Sequence, residues 1–279
     1  MKRLLVIGPS DIAAFKLAEA AIADARPDWR VEFFGLPCPS FNRLVLGEDG
    51  CFGVDPAMAT GSPKHHEALR QSAMRINGRE SVDIRGFDAV LHAGRRASFI
   101  AAKNLLLGHD VEGAPARGRQ NLMTRACFDE MCAALAPLEA PDAPWRAPGM
   151  PLSIMMARPH PAEGCVASDL AMFQAARALA KRPEGVAPLY ERYQSVVAEE
   201  LARIGVGYFS QPRETYGDDL LTFARYSRGS RRLWDIDDAH DEADYEHMNA
   251  EFGLLCLERL IDQIEASSLF RKKAQNVEA

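Results

Sequence analysis

A chain of 279 residues with 47% hydrophobic and 26% charged residues has the composition of a globular protein, which sets aside disordered, collagen-like and disulfide-scaffold classes. Lys and Arg number 33 against 39 Asp and Glu, a net charge of −6, so nucleic acid is not the expected partner: a phosphate-binding surface needs a basic excess. No apolar run approaches membrane-spanning length, and the one behind Met1-Lys2-Arg3 stops at Gly8-Pro9, too short for an export leader, which predicts a cytoplasmic protein.

In chain order, the unbroken apolar run at 4–7 predicts a buried strand. Residues 12–25 are alanine-rich at helical spacing and end at Pro27. Residues 29–34 read as a second strand, closing a βαβ unit. Residues 42–80, scattered with Gly and Pro, read as a long irregular excursion with at most a short hairpin or helix; His65-His66 falls there, expected in solvent. A third strand at 88–92 opens onto Gly94-Arg95-Arg96, and helices are predicted over 97–107 and 120–135. Residues 136–149 read as a Pro- and Ala-rich connection. A fourth strand at 152–157 leads to Arg158-Pro159-His160-Pro161, helices follow at 168–181 and 189–204, and a fifth strand at 205–209 leads to Gln211-Pro212-Arg213. The last helix is predicted over 247–264, and residues 269–279 read as a polar tail behind a single domain of 1–268.

Alternating strands and helices predict an α/β fold, a three-layer α/β/α sandwich around a five-stranded parallel sheet. In such folds ligands bind beyond the carboxyl ends of the strands. Five distinctive segments, beginning at Gly8, Gly35, Gly94, Arg158 and Gln211, should therefore converge on one edge. Two of the chain's segments carry chemistry. Gly8-Pro9-Ser10 places a serine on a strand-to-helix turn, where the helix N-terminus would favour an anion; the bland alternative is a helix cap. Asp244-Tyr245-Glu246-His247-Met248-Asn249 places an Asp three residues before a His, so one loop can supply a base and the group that orients it. Asn249 reads as a loop staple through its side chain. His240 belongs to the acidic stretch 235–244, which lacks the spacing and central glycine of a calcium loop and reads as solvated. The six cysteines show no CxxC pair or metal-ligand spacing and read as reduced, mostly buried thiols.

These residues resemble the SGNH (GDSL-like) hydrolase family, most closely its bacterial members associated with surface polysaccharides. The resemblance lies in Val6-Ile7-Gly8-Pro9-Ser10, the turn at Gly35, the strand end at Gly94, and Asp244-x-x-His247-x-Asn249 before Glu251-Phe252-Gly253. It implies a flavodoxin-like sheet, with Ser10 as nucleophile, His247 as base and Asp244 orienting it. Asp244 is chosen over Asp238 and Asp241 by the family's spacing. The resemblance also implies an oxyanion hole from Ser10, Gly35 and the segment at Gly94, where the family has an asparagine two residues after the glycine and this chain has Arg96. Pro9 and Asp11 also depart from the family pattern. One missing oxyanion donor costs about 100- to 1000-fold in turnover.

The function implied is an esterase, deacetylase or acyltransferase acting on a carbohydrate or small hydroxyl ester, with neither cofactor nor metal. Two other readings stay open. One is a catalytically weak or inactive protein on the same fold that binds a glycan or an anionic ligand; on it, as on the enzyme, Arg95, Arg158, Gln211 and Arg213 at the sheet edge are the expected substrate- or ligand-binding residues. The other is a nucleotide- or phosphate-binding protein using the turn at Ser10, although the chain has no GxGxxG or GK[ST] pattern.

Overall fold

The computed structural model describes residues 1–55, 62–95 and 97–269, with only the backbone for 97–99. Arg96 and the tail 270–279 lie outside the described residues. Five strands, β1 (Lys2–Gly8), β2 (Trp29–Gly35), β3 (Ala89–Arg95), β4 (Leu152–Ala157) and β5 (Gly207–Phe209), form an all-parallel sheet in the order β5-β4-β3-β1-β2. Among the described residues eight α-helices flank it: α1 (Ala13–Leu17), α2 (Glu19–Ala25), α3 (Pro63–Asn77), α4 (Ala97–Gly108), α5 (Arg125–Leu135), α6 (Gln174–Ala180), α7 (Val186–Arg203) and α8 (Ala250–Ala266).

β1 reads as continuous apolar sequence because both of its faces are covered. Leu4 and Val6 pack with Phe15 and Ile22 of α1 and α2 and with Phe252 and Leu257 of α8. Leu5 and Ile7 point the other way, into Phe34, Phe52, Val82 and Trp145. Met155 of β4 shares that second face with Leu106, Phe128 and Val197 from α4, α5 and α7. The chain runs outward from β1 to β2, then returns to pair β3 on the other side of β1. The reversal opens a crevice beyond the carboxyl ends of β1 and β3, where this sheet class binds ligands. Gly253 lets α8 sit directly on α1: a Cβ there would lie 2.0 Å from the Ala14 carbonyl oxygen. That crossing brings the loop ahead of α8 to the turn ahead of α1.

Several expectations need correction. The helix over 12–25 is two short helices broken at Ala18, whose N–H turns back to the Phe15 carbonyl. The excursion 42–80 holds the long helix α3, with Pro63 in its first turn and left-handed Gly78 ending it, and a small antiparallel sheet of Val45–Leu46, Cys51–Gly53 and Ser81–Asp83. His65 and His66 are therefore helical. α5 begins only at Arg125 under a Thr124 cap, because Asn121–Met123 pairs with His109–Val111. The segment 168–181 is helical in the regular sense only from Gln174. α7 begins at Val186, three residues ahead of the expected start, and α8 begins after Asn249, which leaves His247 in the preceding loop. Among the described residues no helix is long and apolar enough to cross a membrane.

Glu265 of α8 ties three elements together. It accepts bonds from Lys2 Nζ (2.6 Å), Trp29 Nε1 (3.1 Å) and Arg26 (2.6 Å). The Lys2 and Trp29 bonds, helped by Arg26, hold its carboxyl down to about 2. A depressed carboxyl contributes stability above its ordinary value of 4.5 and loses it as pH falls toward about 2. Its side chain is 33% exposed, so solvent screening limits the effect to about 1 kcal/mol. Urea midpoints should therefore separate wild type from Glu265→Gln at pH 7 and converge by pH 2.5. An equal gap at both pH values would refute the assignment.

Candidate active site

β1 ends at Gly8, Pro9 follows in extended conformation, and Ser10 opens a three-residue 3-10 turn that runs into α1. The Ile12 N–H closes the turn on the Pro9 carbonyl at 3.2 Å. Neither the turn nor the five-residue α1 is long enough to build the strong helix dipole expected behind Ser10. The Ser10 hydroxyl instead meets the His247 ring, with Oγ 2.9 Å from Nε2.

His247 is held by a loop that one carboxylate folds and orients. Asp244 Oδ1 accepts the backbone N–H groups of Glu246 (2.9 Å) and His247 (3.1 Å), an Asx turn. Asp244 Oδ2 lies 2.8 Å from His247 Nδ1. Burial alone would raise this carboxyl, but the bonds from the His247 ring and the two N–H groups hold it well below the usual carboxylate range. An ionised carboxylate only accepts, so His247 Nδ1 carries the proton. Its Nε2 is left as an acceptor, and the Ser10 O–H donates to it. Asn249 is the expected staple: its Nδ2 bonds the Arg225 and Arg228 carbonyls, and its Oδ1 caps α8 at the Phe252 N–H.

His240 is the residue that sequence reasoning missed. The acidic stretch is a hairpin of Arg231–Arg232 with exposed Asp235–Ala239, and its end turns His240 inward until the side chain is only 5% exposed. His240 Nδ1 lies 2.8 Å from the same Asp244 Oδ2, and the two imidazoles stack at 4.1 Å with planes 8° apart. Asp244 thus fixes the tautomer of both rings. Burial, and then the facing His247, push the His240 imidazole below its ordinary value, so at neutral pH it is an uncharged platform beneath His247. One ligand atom from each of His240, Asp244 and His247 lies within 4.8 Å of the others. Nearly parallel rings aim their in-plane nitrogens side by side at one oxygen, which suits two hydrogen bonds; a metal needs them to converge. The available signal was spacing, His240 being four residues before Asp244.

A second pair of acids and a base flanks this line. Arg158, directly after β4, reaches Asp11 Oδ1 with Nε at 3.1 Å and Glu246 Oε1 with Nη1 at 2.5 Å. Asp11 follows Ser10, and Glu246 precedes His247. One guanidinium thereby links the turn carrying the serine to the loop carrying the histidine. Gly94 adopts φ +78° at a bulge in β3, and a Cβ there would lie 2.8 Å from Asp11 Oδ2 and 3.0 Å from the Pro9 ring.

The other expected site residues divide. The Gly35 N–H is already paired with Asn77 Oδ1 at 2.9 Å. Arg95 reaches the Leu138 carbonyl and lies 3.8 Å from Glu139. Gln211 is a correction: its Oε1 accepts the His160 N–H and its Nε2 donates to Thr215 and Thr222, so a buried fold-holding network occupies its amide. Arg213 is another: it pairs with Glu191 and Asp218 and donates to the Tyr216 carbonyl, beside β5 and away from Ser10. Arg158 keeps a place on a cavity wall, but its two carboxylates leave no net positive charge for an anion.

No family model matches the chain, and no curated protein does. Among solved structures it is similar to the extracellular lipase of Streptomyces rimosus, with 11% identity, 93% of this chain and 99% of that chain covered, and a TM-score of 0.37.

Proposed function

We propose that this chain is a serine-dependent SGNH-type ester hydrolase or O-acyltransferase acting on a carbohydrate or other small hydroxyl ester. The observation that carries the reading is the unbroken hydrogen-bond line Ser10 Oγ, His247 Nε2, His247 Nδ1, Asp244 Oδ2 at 2.9 and 2.8 Å, assembled from segments 237 residues apart. Ser10 Oγ attacks the acyl carbon while His247 Nε2 takes its proton. The tetrahedral oxyanion collapses, and His247 returns the proton to the leaving alkoxide. Water or an acceptor hydroxyl, deprotonated by the same nitrogen, releases the acyl group and regenerates Ser10. Asp244 stabilises the transient imidazolium and keeps Nδ1 protonated, and neutral His240 supports the ring without adding charge.

The oxyanion would be held by the Ser10 N–H and the Gly35 turn, with Arg96 at the family's asparagine position. Because the Gly35 N–H is paired with Asn77, its use requires that bond to yield. This favours slow turnover, and it is the observation behind the second reading, a weakly active ligand-binding protein.

A fluorophosphonate tests the proposal. Intact-mass and peptide analysis should find one adduct on Ser10 of the wild type and none on Ser10→Ala. An adduct persisting in Ser10→Ala, or an unmodified wild type after prolonged exposure to a small probe, would sink it.

A further inference from the structure

A cavity of about 350 Å³ is bounded by α4, the connection after β4, the start of α6 and Glu246, the residue before His247. Pro159, Pro161, Phe173 and Ala176 form much of its wall. Ile100 and Met172 are 55% and 57% exposed at its edge, and Leu170, 56% exposed, stands two residues from Met172. Large apolar groups are rarely left in solvent side by side without a purpose. The polar groups lining the cavity are Arg158, Glu246, Lys103 and Asn104. Arg158 and Glu246 are also part of the bridge that links the Ser10 turn to the His247 loop, so the wall contains the chain neighbour of His247 and the hydrogen-bond partner of the chain neighbour of Ser10.

The charges at that wall cancel. Arg158 lies between the carboxylates of Asp11 and Glu246. Lys103 is buried, and burial pushes its ammonium down to about 7 against the attraction of Glu246. With Lys103 charged, Arg158, Lys103, Glu246 and the Asp11 behind Arg158 sum to zero, and with it neutral they sum to minus one. An anionic ligand would therefore be unfavoured, while an uncharged apolar group would displace water from the apolar part of the wall without meeting a like charge.

We infer that this cavity takes the acyl chain of the ester, and that the preferred substrate carries a medium-length, uncharged, apolar acyl group. This rests on the hydrolase reading. At about 30 Å³ for a water-sized group, the cavity holds on the order of ten such groups, which suits an acyl chain of up to about ten carbons better than a long fatty chain, and leaves acetyl room to spare.

The test is kcat/KM on p-nitrophenyl acetate, butanoate, hexanoate, octanoate and palmitate, with a binding measurement independent of catalysis: displacement of the neutral fluorophore N-phenyl-1-naphthylamine by 1-octanol. Each methylene buried is worth about fourfold, so hexanoate should exceed acetate by tenfold or more, with palmitate falling again. Ala175 also lines the cavity, and Ala175→Trp should fill it and flatten the rise from acetate to hexanoate. Met172→Asp, at the exposed edge, should weaken hexanoate by about tenfold without threatening the fold. A flat chain-length profile from an enzyme that turns over acetate overturns the inference, and so does octanol displacement unchanged in both variants. If no ester is turned over but octanol binds wild type and fails to bind Ala175→Trp, the apolar site stands and the hydrolase reading falls.

Discussion

Turnover of p-nitrophenyl acetate should fall on the order of a million-fold in Ser10→Ala and on the order of ten thousand-fold in Asp244→Asn. The first variant removes the nucleophile. The second keeps the shape of the side chain but exchanges an ionised acceptor for an amide. Asparagine can present its NH2 to the Nδ1 atoms, so His247 would be free to hold its proton on Nε2, where it blocks the serine. In this chain the loss has a further component, because the same carboxylate oxygen holds both His247 and His240 at 2.8 Å. His240→Phe separates the two contributions. It keeps the stacked ring at the His247 face but cannot bond Asp244, and a fall of about tenfold in kcat with KM unchanged is expected. Single-turnover measurements read these effects directly. An Asp244→Asn variant within tenfold of wild type would mean that Asp244 serves the loop alone, through its Asx turn.

Replacing Arg158 with methionine should destabilise the protein by about 3–5 kcal/mol, because it leaves Asp11 as a buried carboxylate without its cation. The side chains of Arg158 and Asp11 are only 9% and 2% exposed, whereas Glu246 is 25% exposed and can turn to water. Most of the cost therefore belongs to Asp11. The double variant Asp11→Asn/Arg158→Met removes the stranded charge with the guanidinium and should recover a good part of the loss. Urea denaturation of the two variants and wild type measures this, and a loss under 1 kcal/mol in the single variant would show that the bridge positions the two loops without stabilising them. The same variants read out positioning: where the Ser10 turn and the His247 loop part, fluorophosphonate labelling slows even in protein that remains folded.

The strands were legible because parallel-sheet strands are buried on both faces, and Leu4 to Ile7 or Leu152 to Ala157 can then be nothing but apolar. Alternation with helical segments carried the sheet class, and the class carried the convergence of strand ends on one edge. Ser10 and the Asp244–His247 pair were legible for a local reason: a strand-to-helix serine and an i, i+3 acid and base are short-range patterns, and Asp244 completes its half of the geometry within its own loop. The helix α3 was not legible. It is largely polar, with only Leu69, Ala73 and Ile76 buried, so its apolar period is weak and its start depends on Pro63 and its end on Gly78.

Local sequence thus determined the sheet class and the succession of strands and helices along the chain, and it offered the serine, histidine and aspartate that meet at the sheet edge, the aspartate being singled out by the family resemblance. Tertiary packing alone decided what surrounds them. Gly253 brings α8 onto α1 and so carries His247 to Ser10. The hairpin at Asp235–Ala239 turns His240 onto the His247 ring. Arg158, 147 positions from Asp11, is outweighed by the two acids it bridges, which removes it as an anion site. Gln211 and Arg213 sit where strands end, as a ligand-binding residue would, yet their donors are taken by Thr215, Thr222, Glu191 and Asp218. A side chain's charge and reach are written in the chain, but whether its bonds go to a ligand or to the fold depends on which distant groups the fold places beside it.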